Sequence, residues 1–384
     1  MAQTYKCEVA VVGAGPAGAT VARKLALGGV DVLLLEREHV PRHKCCAGGV
    51  TPAARGLLGV DISGVVECEV NRLCASSLTG RHVSWEVDEP FMFTVSRDRL
   101  DAALWSAALD AGAQTLDVHR VVRVENRGDV VVLECETFEV HALLVVGADG
   151  AAGIVSRHME RMRTRHVAVG VALELERPAS PSGYSGEMAE LMVGVAPGTH
   201  GWVFPRKDRL SVGIECHNMQ VDRAAALQKV VAHAGLSEAR VIRRCVHPIP
   251  SLVESGKLAV ERVLLVGDAA GLCDPLTGEG IRNAVASATL AADVVLNSVR
   301  SGEIDLREYE AQMEKSILPE LRAGLLLHRV VSRVEGAAMF ILEHQGGARR
   351  ACIQLLRGET GYRELLARVG GIRGLAGLTV EARK

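Results

Sequence analysis

Two parts of the chain show the apolar runs and helical spacing of a parallel α/β sheet. Residues 8–12 form an apolar run, a helical pattern follows as far as Leu27, and a second apolar run covers 30–35. Runs at 143–146 and 263–266 have the same character. Strands that are buried on both faces of a parallel sheet show this pattern, because neither face meets water. The pattern predicts a Rossmann-like α/β domain.

The middle of the chain follows a period of two residues instead. Alternation of apolar and polar positions at 167–176 and 209–216, with an apolar stretch at 191–195, predicts a second β-sheet. Residues beyond 306 return to helical spacing, with arginine and histidine between the apolar positions. We expect this helical tail to pack on the core, to cover an elongated hydrophobic cavity or to touch a membrane surface.

Composition limits the class of protein. At 384 residues the chain suits one large domain or two interleaved domains. Its net charge of -2 and its 3% aromatic content argue against a nucleic-acid-binding protein. Hydrophobic residues make up 48%, yet no uncharged apolar run has the roughly 18 residues of a membrane-spanning helix. The first residues lack an apolar signal segment, so we expect a cytoplasmic protein, with peripheral membrane contact as an option for the tail.

The ten cysteines predict thiols rather than a disulfide framework, because no secretory segment accompanies them. No Cys-x-x-Cys spacing occurs, so we expect no structural metal site. Cys45 and Cys46 are adjacent within the stretch 41–50. A bond between these two neighbours would be strained, so we interpret the stretch as a loop that carries thiols.

A glycine-rich turn, Gly13–Gly18, joins the first strand to the first helix. Here Gly13 permits the tight turn, Gly15 lets the backbone approach a pyrophosphate, and Gly18 lets helix and strand pack closely. The helix N-terminus offers free N–H groups to phosphates. Glu36, at the end of the second strand, is positioned to accept hydrogen bonds from a ribose diol, and a carboxylate there disfavours a 2′-phosphate. These residues predict FAD or NAD as the ligand.

Two later turns each place an aspartate directly after a predicted strand. Asp149 follows the run 143–146, and Asp268 follows 263–266, with a helix opening near Gly278 or Gly280. Ligands of such sheets bind at the carboxyl edge of the strands, where both aspartates fall. Each aspartate taken alone is also compatible with a helix cap in a β-to-α turn.

Together the three signals resemble a flavoprotein family that includes p-hydroxybenzoate hydroxylase and the geranylgeranyl reductases. The resemblance implies that the first motif binds the ADP part of FAD. It also implies that Asp149 supports the pyrophosphate region, that Asp268 bonds the ribityl chain, and that Arg97 matches a pyrophosphate-contacting arginine. The implied cofactor-binding residues are Gly13, Gly15, Pro16, Ala17, Gly18, Glu36, Arg37, Ala47, Gly48, Gly49, Arg97, Val121, Asp149, Asp268, Gly278, Gly280 and Ile281.

Two further motifs resemble the geranylgeranyl reductase branch of that family. The run Pro41-x-x-Lys44-x-Cys46-x-Gly48-Gly49 is similar to its P-x-x-K-x-C-G-G motif. Residues 200–205, His-Gly-Trp-Val-Phe-Pro, are similar to its Y-x-W-x-F-P box. Two positions depart from the pattern, because Ala47 stands where the family often has glycine and His200 replaces the usual tyrosine.

The resemblance makes Cys46 the candidate catalytic residue beside the flavin. Lys44 lies two residues upstream and favours the thiolate, because cationic neighbours lower the pKa of a thiol. The alternative is that Cys46 only packs as a small side chain. Cys45 has no counterpart in the motif, and Cys273, in the Asp268 loop, is a second candidate thiol.

His200, Trp202 and Phe204 are the candidate substrate-binding residues. They alternate along a predicted strand and therefore point to one face of the sheet, into either a core or a binding cavity. Core packing is the ordinary role of such an apolar pair, whereas a histidine on the same face is unusual in a dry core.

The resemblance and the patterns together predict three regions. The FAD-binding domain is expected over 1–70, 95–165 and 255–305, the β-sheet substrate domain over 71–94 and 166–254, and a helical C-terminal region over 306–384.

The function implied by the resemblance is reduction of isolated C=C bonds in a polyprenyl, geranylgeranyl-type lipid. FAD carries the hydride, and Cys46 or a water beside it supplies the proton. No second complete GxGxxG motif occurs, so an NAD(P)H or ferredoxin-type donor is expected to act transiently. An FAD-dependent monooxygenase or halogenase is the alternative, although a halogenase is expected to carry W-x-W-x-I-P. A non-catalytic FAD-binding protein is disfavoured by the intact glycines of all three cofactor motifs.

The same composition predicts the shape of the substrate site. Five Phe, four Tyr and three Trp provide few aromatic walls for a planar ring, so a long slot for an alkyl chain is expected. We expect the slot to run from the flavin past Trp202 and Phe204 to the helices beyond 306. A basic mouth formed by Arg322, His328 or Arg329 would suit an anionic head group.

Overall fold

The computed structural model describes residues 3–116, 119–159, 165–178, 187–252 and 257–370. Its β-strands, in chain order, are β1 (Gln3–Val12), β2 (Val32–Leu35), β3 (Gly49–Val50), β4 (Val66–Val70), β5 (Arg72–Ser77), β6 (His82–Glu86), β7 (Met92–Val95), β8 (Gln114–Thr115), β9 (Val121–Asn126), β10 (Val131–Cys135), β11 (Phe138–Gly147), β12 (Arg165–Glu176), β13 (Met188–Ala196), β14 (Thr199–Pro205), β15 (Arg209–Cys216), β16 (Val241–Leu252), β17 (Ala259–Val260) and β18 (Val263–Leu265).

The α-helices connect and cover these strands. They are α1 (Pro16–Leu27), α2 (Pro52–Leu58), α3 (Arg97–Asp110), α4 (Ile154–His158), α5 (Arg223–His233), α6 (Ile281–Ser301), α7 (Arg307–Lys315), α8 (Ile317–Val331), α9 (Glu335–His344), α10 (Gly346–Arg357) and α11 (Tyr362–Gly370). The helical tail expected over 306–384 is present as α7–α11, and its last residues, 371–384, lie outside the described part of the chain.

The first sheet is the parallel α/β sheet that the apolar runs predict. Its strands lie in the order β17-β18-β11-β1-β2-β8, and β10 and β9 extend it antiparallel from β11. Strand β1 pairs in parallel with both β11 and β2, so it is covered on both sides within the sheet. The carboxyl ends of β1, β11 and β18 therefore share one edge. That edge carries the three motifs that the sequence places after strands.

Helix α1 packs against this sheet, and its first and last residues determine where it begins and ends. Pro16 occupies the first turn, where its missing N–H costs no hydrogen bond, and Gly28 ends the helix by donating to the Lys24 carbonyl at 3.1 Å. Helix α6 lies beside α1, and its buried alanine and valine face joins the main core.

The second sheet is antiparallel apart from one strand pair and comes largely from the middle of the chain. Its order is β16-β12-β15-β14-β13-β5-β6. Predicted strands at 167–176, 191–195, 200–205 and 209–216 are confirmed as β12, β13, β14 and β15. Helix α5 covers one face of the sheet and forms a separate hydrophobic core with it. The opposite face is turned toward the first sheet. A small third sheet, β3-β7-β4, lies between the two.

The tail is tied to the cofactor domain by two tyrosines. Tyr309 of α7 is fully buried and donates a hydrogen bond to the Leu265 carbonyl at 2.8 Å. Tyr362 of α11 donates to Asp274 Oδ1 at 2.8 Å, and its ring lies against Gly324, where a side chain would collide with it. The C-terminal helices thus support the loop that precedes α6. None of the described helices is long and apolar enough to cross a membrane.

Candidate functional site

A cavity of about 750 Å³ lies between the carboxyl edge of the first sheet and the open face of the second. It brings together almost all the residues that the sequence singles out, from the glycine turn, the 41–50 loop, the two aspartate turns and the 200–205 strand. Gly18 is the exception, because it faces the sheet behind the turn. A Cβ at Gly18 would overlap the carbonyl oxygen of Gly13, which is the close packing that its position in the motif predicts.

The glycine turn forms a backbone cradle at the N-terminus of α1. Gly13 has a φ of +100°, and a Cβ there would overlap the carbonyl oxygen of Ala148 in the neighbouring turn. Gly15 is the N-cap of α1, and a Cβ there would meet only Arg42 at 4.0 Å. Free N–H groups at a helix start attract phosphate, and the open space beside Gly15 fits a pyrophosphate. The cradle therefore fits a dinucleotide.

Glu36 lines the cavity, and hydrogen bonds within the protein hold its carboxylate. Its Oε2 accepts hydrogen bonds from the Ala14 amide at 3.0 Å and from Arg42 Nη2 at 2.9 Å. Arg42 also pairs with Asp101 at 2.8 Å, and Arg97 pairs with the same carboxylate at 2.8 Å. Asp101 is fully buried, so one carboxylate orders two arginines below the cofactor site.

Asp149 lines the cavity and also caps a helix. Its Oδ2 accepts a hydrogen bond from the Val155 amide at 2.8 Å in the first turn of α4, so the helix-cap interpretation of this residue is confirmed. Burial raises the pKa of Asp149 to about 6, against the lowering effect of that backbone hydrogen bond. Asp268 lies in the 3₁₀ turn Gly267–Ala270 after β18 and also lines the cavity.

The loop before α6 meets both walls of the cavity. Gly280 is the N-cap of α6, as the motif predicts, and Gly278 has a φ of +68°. A Cβ at Gly278 would lie 2.5 Å from Oε2 of Glu215, so this carboxylate of β15 reaches the loop. Glu279 accepts a hydrogen bond from the Thr51 hydroxyl at 2.6 Å, and burial raises the pKa of Glu279 to about 7.

Cys46 lies in a ring of hydrogen-bond donors. The Gly48 amide donates to its Sγ at 3.3 Å. Burial opposes the charge of Arg97, but Asp101 and then Cys46 raise the pKa of this arginine above its ordinary value. The Arg97 guanidinium is therefore charged and within hydrogen-bond reach of the sulfur. This setting agrees with a sulfur that accepts hydrogen bonds, and the catalytic role of Cys46 stays a prediction.

Neither Gly48 nor Gly49 could carry a side chain without displacing neighbouring atoms. Gly48 has a φ of +81°, and a Cβ there would overlap the guanidinium of Arg206. Arg206 is 2% exposed, donates to the carbonyls of Val95 and Ala47, and lies 3.7 Å from Glu67. The buried Arg206 thus contacts the 41–50 loop at Ala47 and Gly48 and supports its backbone.

The expectation that all ten cysteines are thiols is wrong. Cys45 forms a disulfide with Cys245, 200 residues away, with Cα atoms 5.7 Å apart. The strand pairing of β16 with β12 brings Cys245 beside the loop, which no local spacing reveals. The other eight cysteines, including Cys46 and Cys273, are free, so a bond between Cys45 and Cys46 is excluded.

A second contact joins the 41–50 loop to β16 close to this disulfide. It is made by Lys44, next to Cys45, and His247, two residues after Cys245. Lys44 Nζ lies 2.5 Å from His247 Nε2. Burial, followed by the charge of Lys44, lowers the pKa of His247 to about 3, so the imidazole is neutral and accepts this hydrogen bond. Burial likewise lowers the pKa of Lys44.

His200, Trp202 and Phe204 all face the cavity from β14. The Trp202 ring lies over Gly213 of β15, where any side chain would collide with it, and its indole N–H donates to Ser211 Oγ at 3.2 Å. Phe204 comes within 3.7 Å of where a Cβ of Gly49 would lie. The strand therefore runs beside the loop that carries Cys46.

The tail helices close part of the cavity with apolar side chains. Val331 of α8, Leu342 of α9 and Leu355 of α10 are among the lining residues. The predicted basic mouth is wrong, because none of its three residues lines the cavity. Arg322 is instead exposed and pairs with Glu314 at 2.6 Å, and His328 is buried at 5% exposure.

Sequence reasoning missed several residues that shape the site. Asp101 lies four residues after Arg97 on one helix, a spacing that favours an ion pair and could have revealed it. Arg206 directly follows the 200–205 box. Glu215, His217 and Cys245 have no local signal, because strand pairing and helix packing bring them to the cavity or its rim. Among the described residues, no cluster of histidine, cysteine or carboxylate side chains suits a metal ion.

Comparison with known proteins adds a family to this geometry. The family model described as "FAD binding domain" matches residues 6–313. The chloroplastic geranylgeranyl diphosphate reductase of Oryza sativa subsp. japonica is 30% identical, over 88% of this chain and 78% of that protein. The digeranylgeranylglycerophospholipid reductase of Methanothrix thermoacetophila is 27% identical, over 88% of this chain and 91% of its own length.

Solved structures show the same fold. A geranylgeranyl bacteriochlorophyll reductase-like protein of Thermoplasma acidophilum superimposes with a TM-score of 0.80 at 20% identity, over 96% of this chain and 99% of that one. A flavin-dependent brominase superimposes with a TM-score of 0.74 at 17% identity, over 92% and 94% of the two chains. At these identities the likeness concerns the fold alone.

Proposed function

Because the chain belongs to the geranylgeranyl reductase family of FAD-dependent oxidoreductases, we propose that it reduces isolated C=C bonds of a polyprenyl lipid. Its cofactor is FAD. The observation that carries the proposal is the apolar extension of the cavity, from the Cys46 loop past Trp202 and Phe204 to helices α8–α10. An elongated apolar slot favours an alkyl chain, because it removes hydrocarbon from water along its whole length.

Small and aliphatic side chains form much of the wall of this slot. The second sheet contributes small apolar residues, such as Ala75, Ala172 and Ala189, and the tail contributes Leu342 and Leu355. Pockets for planar polar substrates usually combine aromatic walls with several polar groups that determine orientation. The composition of the slot therefore supports a flexible hydrocarbon substrate.

Bound FAD, once reduced, supplies the hydride for such a reaction. The chain must position the alkene, exclude water and deliver one proton to the second carbon. The alkene is not polarised by a carbonyl group, so proton delivery requires a protected site with its charges already in place. The charged groups Lys44, Arg97 and Asp268 line the cavity at its cofactor end. The reductant that recharges FAD, an NAD(P)H or ferredoxin-type donor, is part of this proposal.

The test is anaerobic single turnover with geranyl, farnesyl and geranylgeranyl compounds that carry the same head group. We expect each compound to oxidise the reduced flavin and yield a product with two more hydrogens per turnover, measured by flavin absorbance and mass spectrometry. Affinity should increase with each isoprene unit, because every buried CH₂ contributes about 0.8 kcal/mol.

A pair of variants locates the slot. Leu355→Trp narrows the wall that α10 contributes, so it should weaken geranylgeranyl binding at least tenfold and affect the geranyl compound less. Leu326→Trp is the control, because Leu326 belongs to α8, is 44% exposed and does not line the cavity. The proposal would be contradicted if the three prenyl compounds bound with the same affinity. It would also be contradicted if Leu355→Trp and Leu326→Trp weakened geranylgeranyl binding equally.

The brominase-like fold makes an oxygen-dependent reaction the second outcome to measure. One possible result is that none of the three prenyl compounds oxidises the reduced flavin, whereas oxygen is consumed as a small aromatic acid is hydroxylated or halogenated. That result would identify the enzyme as a monooxygenase or halogenase.

A further inference from the structure

Three largely buried histidines form a cluster beside strands β14 and β15 of the second sheet. No part of the reaction proposed above uses them. The rings of His217 and His328 lie 4.2 Å apart, those of His200 and His328 5.3 Å, and those of His200 and His217 6.4 Å. We call His200, His217 and His328 the histidine cluster. His200 comes from β14, His217 follows β15, and His328 comes from α8. Three separate elements therefore converge on it.

The cluster reaches the cavity at two points. His200 lines the cavity, and its Nε2 is buried without a hydrogen-bond partner in the protein. Glu215, directly opposite His200 in the β14–β15 ladder, also lines the cavity and touches the Gly278 backbone of the loop before α6. Residues that face each other in an antiparallel ladder lie on the same face of the sheet. His200 therefore sits on the face turned toward that loop.

A carboxylate completes the cluster. Glu215 Oε1 lies 3.1 Å from His217 Nε2, an ion-pair contact that is not aligned as a hydrogen bond. The side chains of His217 and Glu215 are 6% and 13% exposed, so the contact is largely shielded from water. The titratable groups around His200 are thus Glu215 from β15, His217 after that strand and His328 from the tail. Imidazole can serve as a proton shuttle, so three imidazoles packed beside a carboxylate are suited to exchange protons with one another.

Cys46 is poorly arranged to give up a proton. The Gly48 amide and the Arg97 guanidinium both donate hydrogen toward its sulfur. With both contacts donated to it, the sulfur acts as a hydrogen-bond acceptor in this site. The proton required by the alkene therefore needs another source.

We propose that His200 is the proton donor to the substrate and that His328, His217 and Glu215 resupply it. This inference rests on the proposed alkene reduction. One alkene carbon would take the hydride that bound, reduced FAD supplies. The other carbon takes a proton from the His200 imidazolium: the N–H bond breaks, the alkene π electrons form the new C–H bond, and neutral imidazole remains. A proton passed through the histidine cluster then restores the imidazolium.

The electrostatics of His200 agree with this role. Burial, followed by the charge of His217, lowers the pKa of His200 to about 4. The ring is therefore neutral at pH 7, and its imidazolium, when it forms, is a stronger acid than ordinary imidazolium. A strong acid suits an alkene, which is a weak base. This residue is also the departure from the family box, where tyrosine is usual, so the route is a feature of this chain.

The decisive experiment follows anaerobic oxidation of the reduced flavin by the geranylgeranyl compound between pH 5 and pH 8. General acid catalysis typically contributes about 10²–10⁴-fold, so His200→Gln should slow this step at least hundredfold. The wild-type rate should rise as the pH falls, and the variant should lose that dependence. The FAD content of the variant should stay within twofold of wild type.

Four comparison variants make the result specific. His328→Gln should slow the step less than His200→Gln. His233→Gln is the matched control, because His233 lies on α5, 3.6 Å from Glu190 and outside the cluster and the cavity. Glu279→Gln tests the competing carboxylic acid of the cavity. A pH dependence that disappears in Glu279→Gln or in Cys46→Ser, but persists in His200→Gln, would overturn the inference.

Histidine NMR of the oxidised holoprotein supplies a readout that does not involve turnover. The His200 ring should titrate well below the ordinary histidine range, and His217→Gln should raise its midpoint by removing a neighbouring positive charge. An unchanged midpoint would contradict coupling within the cluster. Absence of any anaerobic turnover in the wild type would overturn both the proposed function and this inference, whereas normal turnover in His200→Gln would overturn this inference alone.

Discussion

The cofactor wall of the cavity is made largely of backbone, whereas the substrate wall is made of side chains. At the glycine turn, a Cβ on Gly13 or Gly18 would overlap another backbone segment, whereas the space beside Gly15 is open. On the facing sheet, Trp202 and Phe204 project from a regular strand into the cavity. The two walls therefore respond differently to substitution. We expect a change on the first wall to alter FAD binding, and a change on the second wall to alter the binding of the substrate.

The two walls also differ in how charge is handled. Below the cofactor wall, Asp101 is fully buried between two arginines with short ion-pair contacts. Along the substrate wall, burial keeps His200 and His247 neutral at pH 7 by lowering the pKa of each ring. Charged pairs give the first wall a rigid base, and neutral imidazoles leave the second wall apolar enough for a hydrocarbon.

The largest effect is expected from a side chain in the backbone wall. In Gly18→Val the new atoms would overlap the Gly13 carbonyl, which cannot move without opening the turn. We expect the purified variant to contain less than a tenth of the wild-type flavin, measured as flavin absorbance per chain. Gly56→Ala is the control, because Gly56 lies in α2 with open space around it. A yellow Gly18→Val protein would show that side chains are tolerated on this wall as well.

The buried ion network is expected to give the next largest effect. Asp101→Asn leaves Arg42 and Arg97 without their shared negative partner, and removing one member of a buried pair typically costs about 3–5 kcal/mol. Glu176→Gln is the control, because its pair with Arg240 is exposed and such pairs contribute about 0–1 kcal/mol. Urea unfolding of the two holoproteins measures both losses. Similar losses in both variants would remove the contrast between the walls.

The disulfide between the walls is expected to give the smallest effect of the three. Cys245→Ser should lower the free energy of unfolding by about 2–4 kcal/mol in the absence of reductant, and should have no such effect in its presence. Alkylation of the unfolded wild-type chain should modify eight cysteines before reduction and ten afterwards. Ten modified cysteines without reductant would show that the two walls are not covalently joined.

The elements that were predicted well are those whose cause is local. Helix α1 spans Pro16–Leu27 and ends where the sequence indicates, because a proline start and a glycine stop are properties of adjacent residues. Strand β15, Arg209–Cys216, matches its predicted range for a similar reason, since alternation is visible within one segment. Strand β1 is longer than predicted, Gln3–Val12, because pairing with β11 extends it through polar residues.

The site was predicted unevenly for the same reason. The glycine and aspartate turns follow strands directly, so their arrival at one sheet edge could be inferred from chain order. The link between Cys45 and Cys245 and the three-histidine cluster join residues far apart in sequence. Nothing within a short window marks such partners, because strand order and helix docking decide which distant side chains meet.

By itself, the sequence determined the α/β fold, the dinucleotide cradle and the strand that presents His200, Trp202 and Phe204. Those features depend on residue spacing, on glycine conformation and on the two-residue period of a strand. Only the tertiary structure decided that Arg206 supports Gly48, that Glu215 reaches Gly278, and that α8 delivers His328 to the sheet. The physical reason is that each of these contacts joins two separately formed elements. The sequence of one element does not show which other element it will pack against.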